Sequence, residues 1–164
     1  TPKMSFGTGH HETTHQMLAL ELEIDFKEKA VLDVGSGTGI LAIMAAKLGA
    51  NYLAATDIDE WCIENSQENF DLNDVIVNEL KLGTIQELKF ERQFDVVLAN
   101  SNKNVLLEEL PDYAKLMADK AHLFLSGFYK NDVEDILQLT RELGFEKMSV
   151  SSKRDWTAIL LKKV

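Results

Sequence analysis

Short apolar runs alternate along this chain with stretches in which apolar residues recur every three or four positions. The runs Ala30–Val34, Tyr52–Thr56, Ile76–Leu82, Phe94–Ala99 and Ala121–Ser126 read as strands. Phe94 to Ala99 is apolar at nearly every position, as a strand buried on both faces should be. Helical spacing appears in Ile40–Leu48, where Ile40, Leu41, Met44, Ala45 and Leu48 share a face, Thr38 is a candidate cap and Gly49 the stop. It returns in Glu60–Asp71, capped by Asp59, then in Val105–Ala118, and again in Asp132–Leu143. Pro111 is expected to begin a second piece of the third of these, because proline does not suit a helix interior. An earlier helix is predicted over His15–Leu22, with Thr13 and Thr14 at its start. Phe145–Ser152 and Trp156–Lys162, joined at Lys153-Arg154-Asp155, read as a closing antiparallel hairpin. Strand and helix alternate with short turns, which predicts one α/β domain over residues 1–164. Its doubly wound, mostly parallel seven-stranded sheet should carry helices on both faces. The ligand site of such a sheet lies at the carboxyl ends of its strands, where Gly35, Asp57 and Asn100 fall.

The chemistry concentrates between Val31 and Asp59. A strand runs into Gly35-Ser36-Gly37-Thr38-Gly39, and the next strand ends in Asp57-Ile58-Asp59. Closely spaced glycines let backbone N–H groups approach a bound molecule. A carboxylate at the next strand's tip can accept hydrogen bonds from the two hydroxyls of a ribose. Gly37-Thr38-Gly39-Ile40-Leu41-Ala42 fits the dinucleotide fingerprint G-x-G-x-x-G/A, and Asp57 lies 20 residues beyond Gly37. Two details oppose a nicotinamide cofactor. The strand ends two residues before that fingerprint begins, and it carries Asp33 near its end. A carboxylate there repels a pyrophosphate and suits a cationic amine. The balance favours S-adenosylmethionine (SAM), which has an ammonium group and no phosphates.

Composition narrows the field. With 164 residues, 45% of them apolar, the chain can bury a sizeable core. No apolar run is long enough to span a bilayer and no leader pattern precedes the start, so no membrane association is expected. The single cysteine, Cys62, reads as a core residue and fits a reducing, cytoplasmic setting. A net charge of −10 argues against direct nucleic-acid binding and is compatible with a basic, lysine-rich protein partner. His10, His11 and Glu12 are close in sequence, but no further ligand is evident; no metal is assigned, and an ordered gating loop is the reading kept. Trp61 reads as packing, and oligomeric state is not encoded in any recognisable pattern.

Val31-Leu32-Asp33-Val34-Gly35-Ser36-Gly37-Thr38-Gly39 resembles the first motif of class I SAM-dependent methyltransferases, whose fold is Rossmann-like. Met4-Ser5-Phe6-Gly7-Thr8-Gly9-His10-His11-Glu12-Thr13-Thr14 is similar to the leader of the family that methylates large-subunit ribosomal protein eleven. Thr56-Asp57-Ile58-Asp59, Glu68-Asn69-Phe70-Asp71-Leu72-Asn73, Phe94 to Asn100 and Leu125-Ser126-Gly127-Phe128 follow in the same order. The resemblance implies SAM-dependent methyl transfer to amines of a ribosomal protein: lysine side chains, and an amino terminus as a further candidate. It implies that Gly35 and Gly37 line the methionine and ribose, with Asp33 near the amino group. Asp57 would take the ribose hydroxyls and Ile58 press on the adenine. Thr8 would fold over the donor, in a leader and helix spanning residues 1–22, and Asn100 would sit at the point of transfer. The family also carries an amino-terminal substrate-capturing domain, so the chain reads as the catalytic domain alone.

The chain departs from the family pattern in three places. Ser101-Asn102-Lys103-Asn104 follows Asn100 where an aliphatic residue is usual. Ala118-Asp119-Lys120-Ala121-His122 replaces a Pro-Gly-Gly-like turn. Thr84 stands where an acid often meets the adenine amino group. Other readings remain beside this one: a small-molecule methyltransferase, or a module that binds SAM or S-adenosylhomocysteine without turnover. Base methylation is disfavoured, since no prolines and aromatic follow Asn100 to stack a flipped base.

Overall fold

The structure, a computed structural model, describes residues 10–164. Its elements alternate as the hydrophobic pattern predicts: α1 (His10–Glu21), β1 (Ala30–Val34), α2 (Ile40–Lys47), β2 (Tyr52–Asp57), α3 (Glu60–Leu72), β3 (Glu79–Leu82) and β4 (Phe94–Asn100). They continue with α4 (Lys103–Leu116), β5 (Met117–Tyr129), a 3-10 turn (Lys130–Asp132), α5 (Val133–Glu142), β6 (Phe145–Lys153) and β7 (Trp156–Lys163). The sheet has seven strands in the order β3-β2-β1-β4-β5-β7-β6. Its first five strands are parallel, while β7 lies antiparallel between β5 and β6. The chain reverses its direction of travel across the sheet between β1 and β4, the point at which a sheet of this kind forms a ligand crevice at its carboxyl ends.

Every residue of β1 is buried, because helices cover both faces of the sheet. Val31 faces a layer built by Met17 and Leu20 of α1, Leu41, Ala42 and Ala45 of α2, and Phe70 of α3. Leu32 and Val34 face the opposite layer, with Leu106, Leu110 and Tyr113 of α4 and Ile136 of α5. The closing hairpin turns through Arg154 and Asp155, at φ 52° and 69°. Two consecutive left-handed residues match the right-handed twist of paired strands in a two-residue loop.

Several boundaries differ from the sequence pattern for identifiable reasons. The first helix begins at His10, which places Thr13 and Thr14 inside it and buries both. Thr38 does not cap α2: Gly39, left-handed at φ 83°, holds the cap position with no side-chain hydrogen bond. The third strand starts at Glu79; Ile76 is 83% exposed, and the Asn78 side chain meets the edge of β2 by accepting from Leu53 N–H at 2.9 Å. Pro111 does not split α4, which runs through it. Leu106 and Leu110 before the proline and Tyr113 after it are all buried against the sheet, and that anchorage holds the axis despite the missing N–H. Met117 and Ala118 belong to β5, pulled in by pairing of Met117 with Phe94. The unusual Asp119-Lys120 segment stays in that strand with Lys120 at φ 65°. Cys62 is buried and Trp61 half-buried, both on α3.

Asp59 caps α3 as expected, its carboxylate accepting from Trp61 N–H at 2.9 Å. Asn102 does the same for α4 by accepting from Val105 N–H at 3.0 Å, which accounts for the polar run after Asn100. Replacing Asp59 with alanine is expected to lower stability by about 1 kcal/mol. Chemical denaturation of the variant beside Asn102→Ala, for which a similar loss is expected, measures this.

Candidate functional site

The crevice is built on the turn after β1. Gly35 and Gly37 take φ of 71° and 57°, a region that side chains resist. Among the described residues, a Cβ placed on Gly35 would meet nothing nearer than the Asn100 carbonyl oxygen at 4.0 Å, so they leave this side of the loop open. Its other side is strapped down. Ser36 N–H donates to Thr56 O at 2.8 Å, Gly37 N–H to Asp57 Oδ2 at 3.0 Å, and Gly39 N–H to Ser36 O at 2.8 Å. From α3, Ser66 Oγ donates to Gly37 O and Asn69 Nδ2 to Thr38 O, each at 2.8 Å. Ser36 and Ser66 hydroxyls also meet at 3.1 Å.

Three of the loop's N–H groups are therefore occupied by the protein itself. The expectation that the glycines present these groups to a ligand is corrected at Gly37 and Gly39. A pyrophosphate needs such donors turned outward, so the dinucleotide reading loses its main physical support.

Asp57 ends β2 with both carboxylate oxygens engaged: Oδ2 by Gly37 N–H, and Oδ1 by Asp59 N–H at 3.0 Å. Each oxygen can accept twice, which leaves capacity for two ligand hydroxyls from a fixed carboxylate. Ile58 follows with 74% of its surface exposed, an apolar side chain beside this acid. Thr84 is engaged elsewhere: its N–H and hydroxyl each lie 3.0 Å from Glu87 Oε1. These bonds hold the Glu87 carboxyl below its usual range.

Asp33 stands one layer below the loop on the face that Val31 shares. It is 1% exposed, and its Oδ2 has no hydrogen-bond partner. Burial pushes its carboxyl up to about 7, an effect offset in part by the Ala42 N–H and reinforced by the charge of Asp57. An unpartnered carboxylate oxygen in a dry layer is a place for a cation.

Asn100 ends β4 and pairs with Ser126 of β5, whose carbonyl accepts from Ser101 N–H at 2.8 Å. Gly127 lies flat against it. A Cβ on Gly127 would come within 2.6 Å of Asn100 Oδ1 and 2.8 Å of the Ser101 backbone. Beyond Gly127 a cleft of about 350 Å³ is lined by Asn102, Asn104, Phe128, Tyr129 and Asp132. Lys103 at its edge is paired with Asp135 at 2.6 Å.

The structure thus brings Asp33, Gly35, Gly37, Asp57 and Asn100 to one end of the sheet. Thr8 lies outside the described residues. Glu12 is paired with Arg154 at 3.2 Å, tying α1 to the hairpin turn. Sequence reasoning did not single out Ser66, or Asn69 as a strap on the loop; the signal was present as polar residues three apart on the face of α3 that buries Cys62, Ser66 and Phe70. It also passed over Glu21, which shares the buried side of α1 with Thr13, Thr14 and Gln16 as well as Met17 and Leu20, so no apolar stripe marked it.

A family model described as Ribosomal protein L11 methyltransferase (PrmA) matches residues 1–164. The Ribosomal protein L11 methyltransferase of Phocaeicola vulgatus is 46% identical over 158 residues, covering 96% of this chain and 56% of that protein. The chain therefore spans about half the length of the curated relatives it matches. A crystal structure of ribosomal protein L11 methylase from Lactobacillus delbrueckii subsp. bulgaricus superposes with a TM-score of 0.86 at 30% identity, covering 95% of this chain and 81% of that one. The magnesium protoporphyrin IX methyltransferase of Synechocystis PCC 6803, solved with bound SAM, shares the fold: TM-score 0.73, 20% identity, 95% of this chain and 80% of that one.

Glu21 sets the pH response of this region. It has no exposed surface, and burial, with the Asp33 charge second, raises its carboxyl to about 9 from an ordinary value of 4.5. Between those two values the folded chain holds a proton that the unfolded chain lacks, so stability falls as pH rises through that window. Glu21→Gln is expected to raise stability at pH 8 by about 1–3 kcal/mol and to flatten its decline between pH 5 and pH 9. Urea unfolding across that range measures both.

Proposed function

The chain belongs to the ribosomal protein L11 methyltransferase family, and we propose that it binds SAM and directs methyl transfer to amines of that basic ribosomal protein in the cytoplasm. The observation that carries this reading is the pairing of a strapped glycine turn with two acids of different exposure. Asp57 is fixed and half-exposed, suited to neighbouring hydroxyls. Asp33 is buried with an idle oxygen, suited to an ammonium. A nucleoside that carries an amino-acid tail and no phosphate satisfies both.

In this reading Asp57 holds the ribose, and Gly35 leaves room for the chain that joins it to the amino acid. Asp33 takes the ammonium and Ile58 covers the adenine. When bound, SAM supplies a methyl group on a positively charged sulfur. Transfer from such a centre depends chiefly on aligning the nucleophile, because the thioether that leaves is neutral and needs no acid. Asn100 provides that alignment, since its side-chain and backbone carbonyls can accept both N–H bonds of a neutral amine. The amine must arrive without its extra proton, and desolvation at the strand ends favours the neutral form. The net charge of −10 attracts a lysine-rich substrate.

Calorimetry with SAM and with NADH, followed by transfer of labelled methyl to ribosomal protein L11, tests the reading. Binding of NADH in preference to SAM would sink it. Asp57→Ala is expected to weaken SAM binding about 10- to 100-fold, the range for hydrogen bonds to a charged group. Gly127→Ala is expected to behave differently. Its methyl displaces the Asn100 amide, so transfer should drop about 100-fold while SAM affinity stays within about threefold. Parallel binding and turnover measurements separate the two variants.

A further inference from the structure

The cleft of about 350 Å³ beyond Gly127 begins where Asn100 ends, since a Cβ on Gly127, which lines it, would lie 2.6 Å from Asn100 Oδ1. An amine aligned by Asn100 has this cleft beside it, and so has the chain that carries the amine. Among the described residues, the walls come from three places. The start of α4 supplies Asn102 and Asn104, the end of β5 supplies Phe128 and Tyr129, and the 3-10 turn supplies Asp132. Phe128 is buried and offers little apolar surface. The accessible lining is two amides, a half-buried carboxylate and the Tyr129 side chain, a residue 51% exposed.

The aromatic and the acid are held together. The Tyr129 ring packs on Trp156, with centroids 4.4 Å apart and planes inclined by 32°. Tyr129 N–H donates to Asp132 Oδ2 at 2.9 Å, which ties the carboxylate to the residue that bears the ring. Among the described residues no donor meets the other oxygen of Asp132. Lys130 N–H donates to Asp155 O at 2.8 Å and fixes this segment to the hairpin turn. An exposed ring and a carboxylate both attract positive charge. Lys103 is the one cation among the described lining residues, and Asp135 neutralises it at 2.6 Å. Lys130 and Arg154 lie outside the lining, and Arg154 is paired with Glu12. An acidic occupant would meet like charge here. An apolar one would strip water from the amides without replacing its hydrogen bonds.

We propose that Tyr129 and Asp132 form a subsite for a second basic side chain of the substrate, close in sequence to the amine that is methylated. The inference rests on the functional reading above, which places that amine at Asn100. The guanidinium or ammonium of the second side chain lies against the exposed part of the Tyr129 ring and donates to Asp132. Asn102 spends its side-chain oxygen on the cap of α4, so its amide N–H groups remain for the substrate backbone. The net charge of −10 draws in any basic chain, whereas this subsite chooses among lysines by what stands beside them.

Calorimetry of this chain saturated with S-adenosylhomocysteine tests the proposal, using capped peptides that hold one lysine among glycines and alanines. Each peptide carries arginine, or its neutral isostere citrulline, at a single position within two residues of the lysine. At one or more of these positions arginine is expected to bind about 5- to 10-fold tighter than citrulline. Asp132→Asn keeps an acceptor for Tyr129 N–H and removes the charge, while Tyr129→Leu removes the ring. Each is expected to bring the arginine-to-citrulline ratio below about twofold, a ratio that a merely structural role would leave unchanged. Equal affinity for the two peptides at every position overturns the proposal, whether or not a variant folds, and so does binding of neither. A native ratio in both variants overturns it as well. Each of these results leaves the functional reading standing. Failure of the native chain to bind SAM or S-adenosylhomocysteine overturns both.

Discussion

The hydrogen bond from Gly37 N–H to Asp57 Oδ2, 3.0 Å long, joins the turn after β1 to the tip of β2, and the architecture of the site follows from it. It sets the glycine turn at a defined height above the sheet and orients the carboxylate from behind. It also consumes a donor that a phosphate-binding loop would turn toward its ligand. Asp59 N–H bonds the other oxygen at 3.0 Å, and the Asp59 side chain in turn caps α3. The same helix returns Ser66 and Asn69 to the carbonyls of Gly37 and Thr38. Turn, strand tip and helix form a closed loop of bonds, so the carboxylate is held before any ligand arrives. Preorganisation of this kind spares the entropy of ordering the site on binding.

Beneath that rigid rim the polar groups are arranged at a cost to stability. Asp33 and Glu21 keep three carboxyl oxygens without partners in a layer otherwise filled by aliphatic and aromatic side chains. Stability alone favours neither residue there. The same desolvation that raises these carboxyls strengthens the attraction of their charged forms for any cation that reaches them. Asp57 differs from both in that backbone N–H groups engage each of its carboxylate oxygens.

At the opposite side of the crevice, close packing does the positioning. Asn100 lies against the bare Cα of Gly127, and Ser101 N–H is tied to Ser126 O at 2.8 Å. Neighbouring strand ends thus hold the amide where a side chain on residue 127 would collide with it. Asn102 then starts α4 at once, which keeps the segment after Asn100 short. The polar residues that follow Asn100 are accounted for by this cap and by the Lys103–Asp135 pair.

The order of elements, the parallel sheet with its antiparallel hairpin, and the residues gathered at the strand ends were legible in the chain. They follow from local causes: apolar periodicity, turn chemistry, and the rule that puts ligands at the carboxyl edge of an open α/β sheet. Asp33, Gly35, Gly37, Asp57 and Asn100 could be named because their types and spacing belong to short contiguous motifs. Only tertiary structure could decide what depends on packing between distant segments. Pro111 stays inside a continuous helix because buried leucines and a tyrosine on both sides anchor it to the sheet. The glycine turn spends its N–H groups internally because β2 reaches it and the turn folds back on itself, while α3 holds its carbonyls. Glu21 is a buried acid because α1 packs against β5 and β7, and nothing in a stripe of twelve residues announces what it will face. Local sequence determines which elements form and which side chains they carry; the dielectric around each side chain, and so its charge, is set by what folds over it.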